Sequence, residues 1–228
     1  MRALLSLLTL VSTVGCGSAA YTYSGYWASD HFPLGDDWVW EYSSEAEDFL
    51  LQVETTNRET SGGIEVVTLD YTHRDTGNLL YSIKWSSNNS DGIQIHGYYT
   101  AEPFSGQDDD DGGGDDTGSA TDAAIGEWVL FNPPVEVLGG QAKPGDALTT
   151  TTGGVTYEAS FDTYEDCPNL YVSDWRCMKV IITSDDDGAA PFEGTWHWAA
   201  EYGTSLFQPE GTDFPWKLVG KPIRTPAN

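Results

Sequence analysis

The chain has 228 residues, 10 Lys plus Arg against 36 Asp plus Glu, and a formal net charge of −26. Such a charge repels nucleic-acid phosphates and the anionic surface of a bilayer, so binding to either through basic residues is excluded. With 39% hydrophobic and 13% aromatic residues, the chain has the material for one folded core.

Met1-Arg2 precedes an apolar run from Ala3 to Val14. That run matches the apolar region of an export signal and is too short to span a bilayer, which takes roughly 20 residues. It ends in Ser12-Thr13-Val14-Gly15-Cys16. This resembles the lipobox of bacterial lipoproteins, where a small residue precedes an invariant Cys. The resemblance implies a signal peptide over 1–15, cleavage before Cys16, and acylation of that Cys and of the new amino terminus. Several chains are needed, because one acyl chain holds only marginally at about 0.8 kcal/mol per buried methylene. Gly17 follows the Cys where an inner-membrane protein would carry Asp, which implies the outer membrane or cell surface. The alternative is a secretory peptide cut near Ser18-Ala19-Ala20. Residues 16–30 read as a tether, and 31–224 as a single β domain.

From Trp38 onward the apolar residues alternate with a period of two, the mark of half-buried antiparallel strands. Trp38, Trp40 and Tyr42 share one face. So do Leu79, Tyr81, Ile83 and Trp85, then Ile93 and Ile95. Val155, Tyr157, Ala159 and Phe161 follow, then Met178, Val180 and Ile182, and finally Trp196 and Trp198. Ser86 to Gly92 reads as a hairpin connection, and Gly62-Gly63 and Gly153-Gly154 as turns. Glu45 to Leu51 is the best helix candidate, although Leu50 to Val53 fits a strand better. Roughly nine or ten strands suit a curved sheet, half-barrel or barrel, with a sandwich as the alternative.

Residues 105–124 break the pattern. Their core, Gln107 to Gly118, is Asp and Gly with almost no apolar content, and predicts a disordered acidic loop within one domain. Calcium is the chemistry to consider for clustered carboxylates. An EF-hand register set by Gly112 puts Gln107 first and Gly118 twelfth, where carboxylates are required, so a solvated spacer is the better reading. Asp185-Asp186-Asp187-Gly188 reads as an acidic turn after a strand.

With Cys16 lipidated, Cys167 and Cys177 remain as a pair. An oxidising envelope predicts a disulfide between them, worth roughly 2–3 kcal/mol for so short a loop. A redox or metal role is less favoured, since the spacing is not CxxC and no His is near. The four His are His31, His73, His96 and His197, and no metal-binding spacing joins them. His197 is the first suspect for a hydrolase, with Glu201 on the same strand face but about 13 Å away. There is no GxSxG nucleophile elbow. The reading is therefore non-enzymatic, with no cofactor and no metal.

The nine Trp and twelve Tyr leave two readings. They fill the core of a twisted sheet, or some of Trp38, Trp40, Trp85, Trp196 and Trp198 face a ligand. His31 to Tyr42, containing Phe32-Pro33-Leu34 and Trp38-Val39-Trp40-Glu41-Tyr42, resembles the start of many uncharacterised bacterial envelope lipoproteins. Gly194 to Phe207 resembles their closing hairpin. The resemblance implies a large curved antiparallel sheet of the half-barrel kind. The leading expectation is a lipid-anchored envelope protein that buries an apolar ligand in an inward aromatic cavity. A carbohydrate-binding module with a flat row of exposed Trp is the alternative, and an envelope hydrolase the second. The expected partners are the membrane through Cys16, and a lipid or glycan.

Overall fold

The alternating runs become strands, and they join into one sheet that curls almost fully round. The computed structural model describes residues 25–35, 38–101, 125–168, 175–186 and 190–224. Its elements are β1 (Tyr26–Trp27), α1 (Ala28–His31), β2 (Trp38–Ser43), β3 (Leu50–Ser61), β4 (Ile64–His73) and β5 (Leu79–Asn88). They continue with β6 (Gly92–Thr100), β7 (Trp128–Leu138), β8 (Gln141–Ala142), β9 (Ala147–Thr152) and β10 (Val155–Asp166). The last are β11 (Arg176–Ser184), β12 (Gly194–Ala199), β13 (Gly203–Pro209), β14 (Trp216–Leu218) and β15 (Ile223–Arg224).

Two antiparallel meanders, β2 to β7 and β9 to β14, make the barrel wall. The first strand of one pairs with the last of the other: Lys217 lies opposite Ser43 and Leu218 opposite Tyr42, and β15 extends the pairing to Val39. At the opposite seam β7 and β9 lie side by side without a backbone ladder. Pro133 and Pro134 supply no N–H in the middle of β7. The hydroxyls of Thr152 and Thr150 instead accept the N–H groups of Asn132 (3.1 Å) and Glu136 (3.0 Å). The sheet therefore nearly closes into a barrel, and side chains rather than a backbone ladder bridge its last seam.

About eight strands give a barrel that its own side chains can fill, and twelve enclose more space. The sequence answers with large rings. β5 and β12 stand six strands apart in the ring, on opposite walls. Yet Trp85 of β5 meets Trp196 and Trp198 of β12, with ring centres 5.7 and 6.3 Å apart. Phe207 stacks on Trp196 at 3.9 Å, and Tyr71 on Tyr81 at 4.3 Å. Many outward positions are polar, as in Gln52 with Thr72, Glu54 with Asp70, and Lys84 with Thr68, although Trp128, Leu130 and Ile223 are exposed.

The remaining space at one end is taken by the chain's own amino-terminal segment. Residues 25–30, expected to be tether, are part of the fold. β1 pairs with β8, and Ala28 donates its N–H to the Gly140 carbonyl. α1 then drops Phe32 into the barrel axis, 4.9 Å from Trp85 and 5.0 Å from Trp198. The segment is fixed on all sides. Ser29 bonds Asn89, and Arg58 donates to the Leu34 carbonyl. His31 Nδ1 lies 3.0 Å from the Trp27 carbonyl oxygen, and Tyr26 packs on Tyr164 at 3.9 Å. Glu201, at a φ of 68° in the β12–β13 turn, donates its N–H to the Asp30 carbonyl at 2.8 Å. That conformation is unusual for a residue with a side chain, and it aims the amide at the plug.

Glu45 to Leu51 forms no helix, because Leu50 and Leu51 already belong to β3. Strands outnumber the nine or ten expected, chiefly because β1, β8, β14 and β15 are only two or three residues long and too short to show a period.

Phe32→Ala should destabilise the fold by about 3–5 kcal/mol, the usual cost of emptying a buried Phe site. Chemical denaturation at equilibrium measures it. A loss under about 1 kcal/mol would show that the plug does not support the barrel.

Candidate functional site

Most of the candidates read from the sequence lie in the wall or the core. Trp85, Trp196 and Trp198 are fully buried, Trp40 is 4% exposed, and Trp38 is half-buried. Trp40 donates its indole N–H to the Tyr202 carbonyl at 2.8 Å, and Trp196 to the Phe192 carbonyl at 2.9 Å. The four buried rings face inward, so they form no flat row on the surface. Nor do they line an open chamber. A small void bordered by Trp40 and Trp196 holds about 20 Å³, room for about one water. Phe32 packs against Trp85 and Trp198 at this part of the barrel axis.

Cys167 and Cys177 are bonded, with Cα atoms 4.9 Å apart, linking the end of β10 to β11. His197 projects outward from β12 and lies on the outer wall. Its Nε2 is 2.9 Å from Glu165 Oε1, so its partner is Glu165 on β10 rather than Glu201. Burial holds the imidazole below its ordinary pKa, and the bond to Glu165 works against that. Ser205 donates its hydroxyl to the His197 backbone carbonyl at 2.9 Å. His96 is also on the outer face, 2.9 Å from Ser86 Oγ. His31 serves the plug, and His73 stacks flat on Phe49 at 4.3 Å. Among the described residues no three His, Cys, Asp or Glu gather as a metal site.

Of the expected acidic turn after β11, Asp185 and Asp186 are bends, and Asp187 and Gly188 lie outside the described residues. Asp185 is tied to the start of β10, accepting the Thr156 N–H at 2.7 Å. The chain then returns through Phe192, which is fully buried and packs on Tyr98, Tyr157 and Phe131. Cys16 and the acidic run 105–124 lie outside the described residues.

A cavity of about 500 Å³ opens at the barrel end opposite the plug. Three pieces of chain build it. The β2–β3 connection supplies Ser44, Ala46, Glu47 and Phe49; the β13–β14 connection supplies Gly211, Thr212, Asp213 and Phe214; Leu51, Leu80, Tyr81 and Trp216 form the floor. Leu51 and Trp216 also border the small inner void, so they separate the mouth from the core. Phe49 is braced by His73 on one side and by Trp216 at 5.4 Å. Beside this mouth Ala101 donates its N–H to the Leu80 carbonyl at 2.8 Å. A cavity of this size with an apolar floor and a few polar groups at its rim is the ordinary form of a small-molecule site. Sequence reasoning missed it. Its residues sit in two irregular connections, and the one signal was aromatic residues beside turn formers, as in Gly211-Thr-Asp-Phe-Pro-Trp216.

No family model, curated protein or solved structure matches this chain.

One buried acid carries a pH dependence. Glu193 is 2% exposed and sits just past Phe192. Burial pushes its carboxyl up to about 7, against the bonds it accepts from Ala190 N–H and Ser184 Oγ. The folded chain therefore keeps this proton where the unfolded chain releases it. The stabilisation is complete below the unfolded pKa of 4.5 and is lost as pH rises through about 7. Glu193→Gln should remove that loss. Its advantage over the parent chain should grow across this window by up to about 1.4 kcal/mol per pH unit. Paired denaturation curves across that range measure it, and a constant difference would contradict it.

Proposed function

We propose that this chain is a lipid-anchored envelope protein that holds a small ligand with an apolar body in the mouth of its barrel, without catalysis. The observation that carries the reading is the cavity of about 500 Å³, open at the end away from the plug. Its floor of Leu51, Leu80, Tyr81 and Trp216 offers apolar burial and no nucleophile. His197, the best general-base candidate, lies on the outer wall with its Nε2 engaged by Glu165.

The lipobox resemblance at Cys16 supports the anchor. It also orients the barrel. Tyr26 in β1 is ten residue steps from Cys16, and an extended chain spans at most about 3.3–3.6 Å per step. The plugged end is therefore held within roughly 35 Å of the bilayer. The mouth then points away from the membrane, where it can exchange ligand with solution. The strong acidity of the chain keeps the barrel itself off an anionic surface.

A non-reducing native mass spectrum of the protein, extracted gently from its own membrane, tests both parts. The expected mass is that of the chain from Cys16 plus acyl groups, less two hydrogens, with a further mass that leaves on denaturation. A bare chain beginning near Ala20 would overturn the anchor. An acylated chain that carries no adduct and takes up no small apolar molecule would overturn the binding role.

A further inference from the structure

We propose that the ligand of the mouth cavity is an organic cation: an ammonium group joined to an apolar or aromatic body. This rests on the reading of the mouth as a binding site and adds its chemistry. Three observations point the same way. First, the lining supplies four aromatic rings, Phe49, Tyr81, Phe214 and Trp216, together with the carboxylates of Glu47 and Asp213, and no Lys, Arg or His. Second, the basic side chains near the mouth are already engaged. Lys217 is 3.1 Å from Glu45, and Arg74 is 2.8 Å from Glu41. His73 is stacked behind Phe49. Among the described residues, neither Glu47 nor Asp213 has such a partner. Third, Phe214 is 47% exposed at the rim although it is a large apolar residue, while Trp216 is 9% exposed beneath it.

The chemistry that fits is specific. Ring faces carry negative quadrupole density and attract an ammonium that is partly stripped of water, an attraction that is strongest on Trp. Two carboxylates at the rim add long-range attraction, and a chain of charge −26 concentrates cations around it. An anionic ligand would bring unpaired like charge against Glu47 and Asp213. A small inorganic cation would leave the apolar floor unused. An organic cation uses both, its head among Glu47, Asp213 and the rim ring of Phe214, and its body on Leu51, Leu80 and Trp216.

Titration of the purified protein with benzyltrimethylammonium, followed by calorimetry, tests the assignment. Its neutral isostere, tetramethylammonium and benzenesulfonate serve as comparison probes. Benzyltrimethylammonium should bind at one site, at least about tenfold more tightly than any of the three. The double variant Glu47→Gln/Asp213→Asn should weaken it about tenfold or more, and Phe214→Ala should also weaken it. Both carboxylates are at the rim, so the double variant is expected to keep the parent's circular dichroism. If the isostere binds as well as the cation, or the double variant binds unchanged, the cation assignment falls while the mouth remains a site. If none of the four probes binds in the parent chain, both the assignment and the reading beneath it fall. Equal binding of both cations, unaffected by Phe214→Ala, would mean diffuse attraction to an acidic surface and would also overturn it.

Discussion

Everything inside this barrel depends on one contact, the insertion of Phe32 between Trp85 and Trp198. A ring of twelve strands is wider than ordinary aliphatic side chains can fill, and an unfilled apolar interior forfeits both transfer and dispersion energy. The chain meets this constraint in two ways. It uses rings long enough to reach across the axis, so that β5 and β12 touch from opposite walls. It then spends its amino-terminal segment as a plug. The many small bonds around that segment, from Asn89, Gly140, Arg58 and Glu201, hold Phe32 where the Trp pair requires it.

The same constraint decides where function can reside. A core packed this tightly has no chamber for a ligand, and the inner void is the size of a water molecule. At the plugged end the β5–β6, β7–β8 and β12–β13 connections bond to the plug through Asn89, Gly140 and Glu201. On the β6, β7 and β10 side of the other end, Phe192 folds inward and closes the gap against Tyr98, Phe131 and Tyr157. What remains is the β2, β3, β13 and β14 side, where two irregular connections leave the cavity above Trp216. The site is defined by what the core does not use. Stability and binding are therefore served by different aromatic residues, and a change in one set can leave the other intact.

The sequence announced the wall more clearly than the site. Period-two runs such as Leu79 to Trp85 and Val155 to Phe161 can only be half-buried strands, and they are β5 and β10. Closure into a barrel was not legible. It depends on two residue pairs between β14 and β2, and on hydroxyls across a proline-broken seam, and neither leaves a periodic trace. The Trp residues were legible as inward, but not as packed on one another across the axis. Alternation gives a face and says nothing of what lies opposite it. The plug was hidden because Tyr26 to His31 is too short to show a period, so it read as tether. His197 illustrates the converse limit. Its true partner, Glu165, comes from a strand two places away in the sheet, a distance that strand arithmetic along one chain segment cannot reach.

The central claim is that the amino-terminal segment belongs to the core rather than hanging from it. Hydrogen–deuterium exchange on the intact chain tests this most directly. The account predicts that the amides of Tyr26, Ala28 and Phe32 exchange on the timescale of β5 and β12, and open only with the barrel. Exchange of those amides within seconds, with β5 and β12 still protected, would contradict it. The interior would then be open to ligands after all.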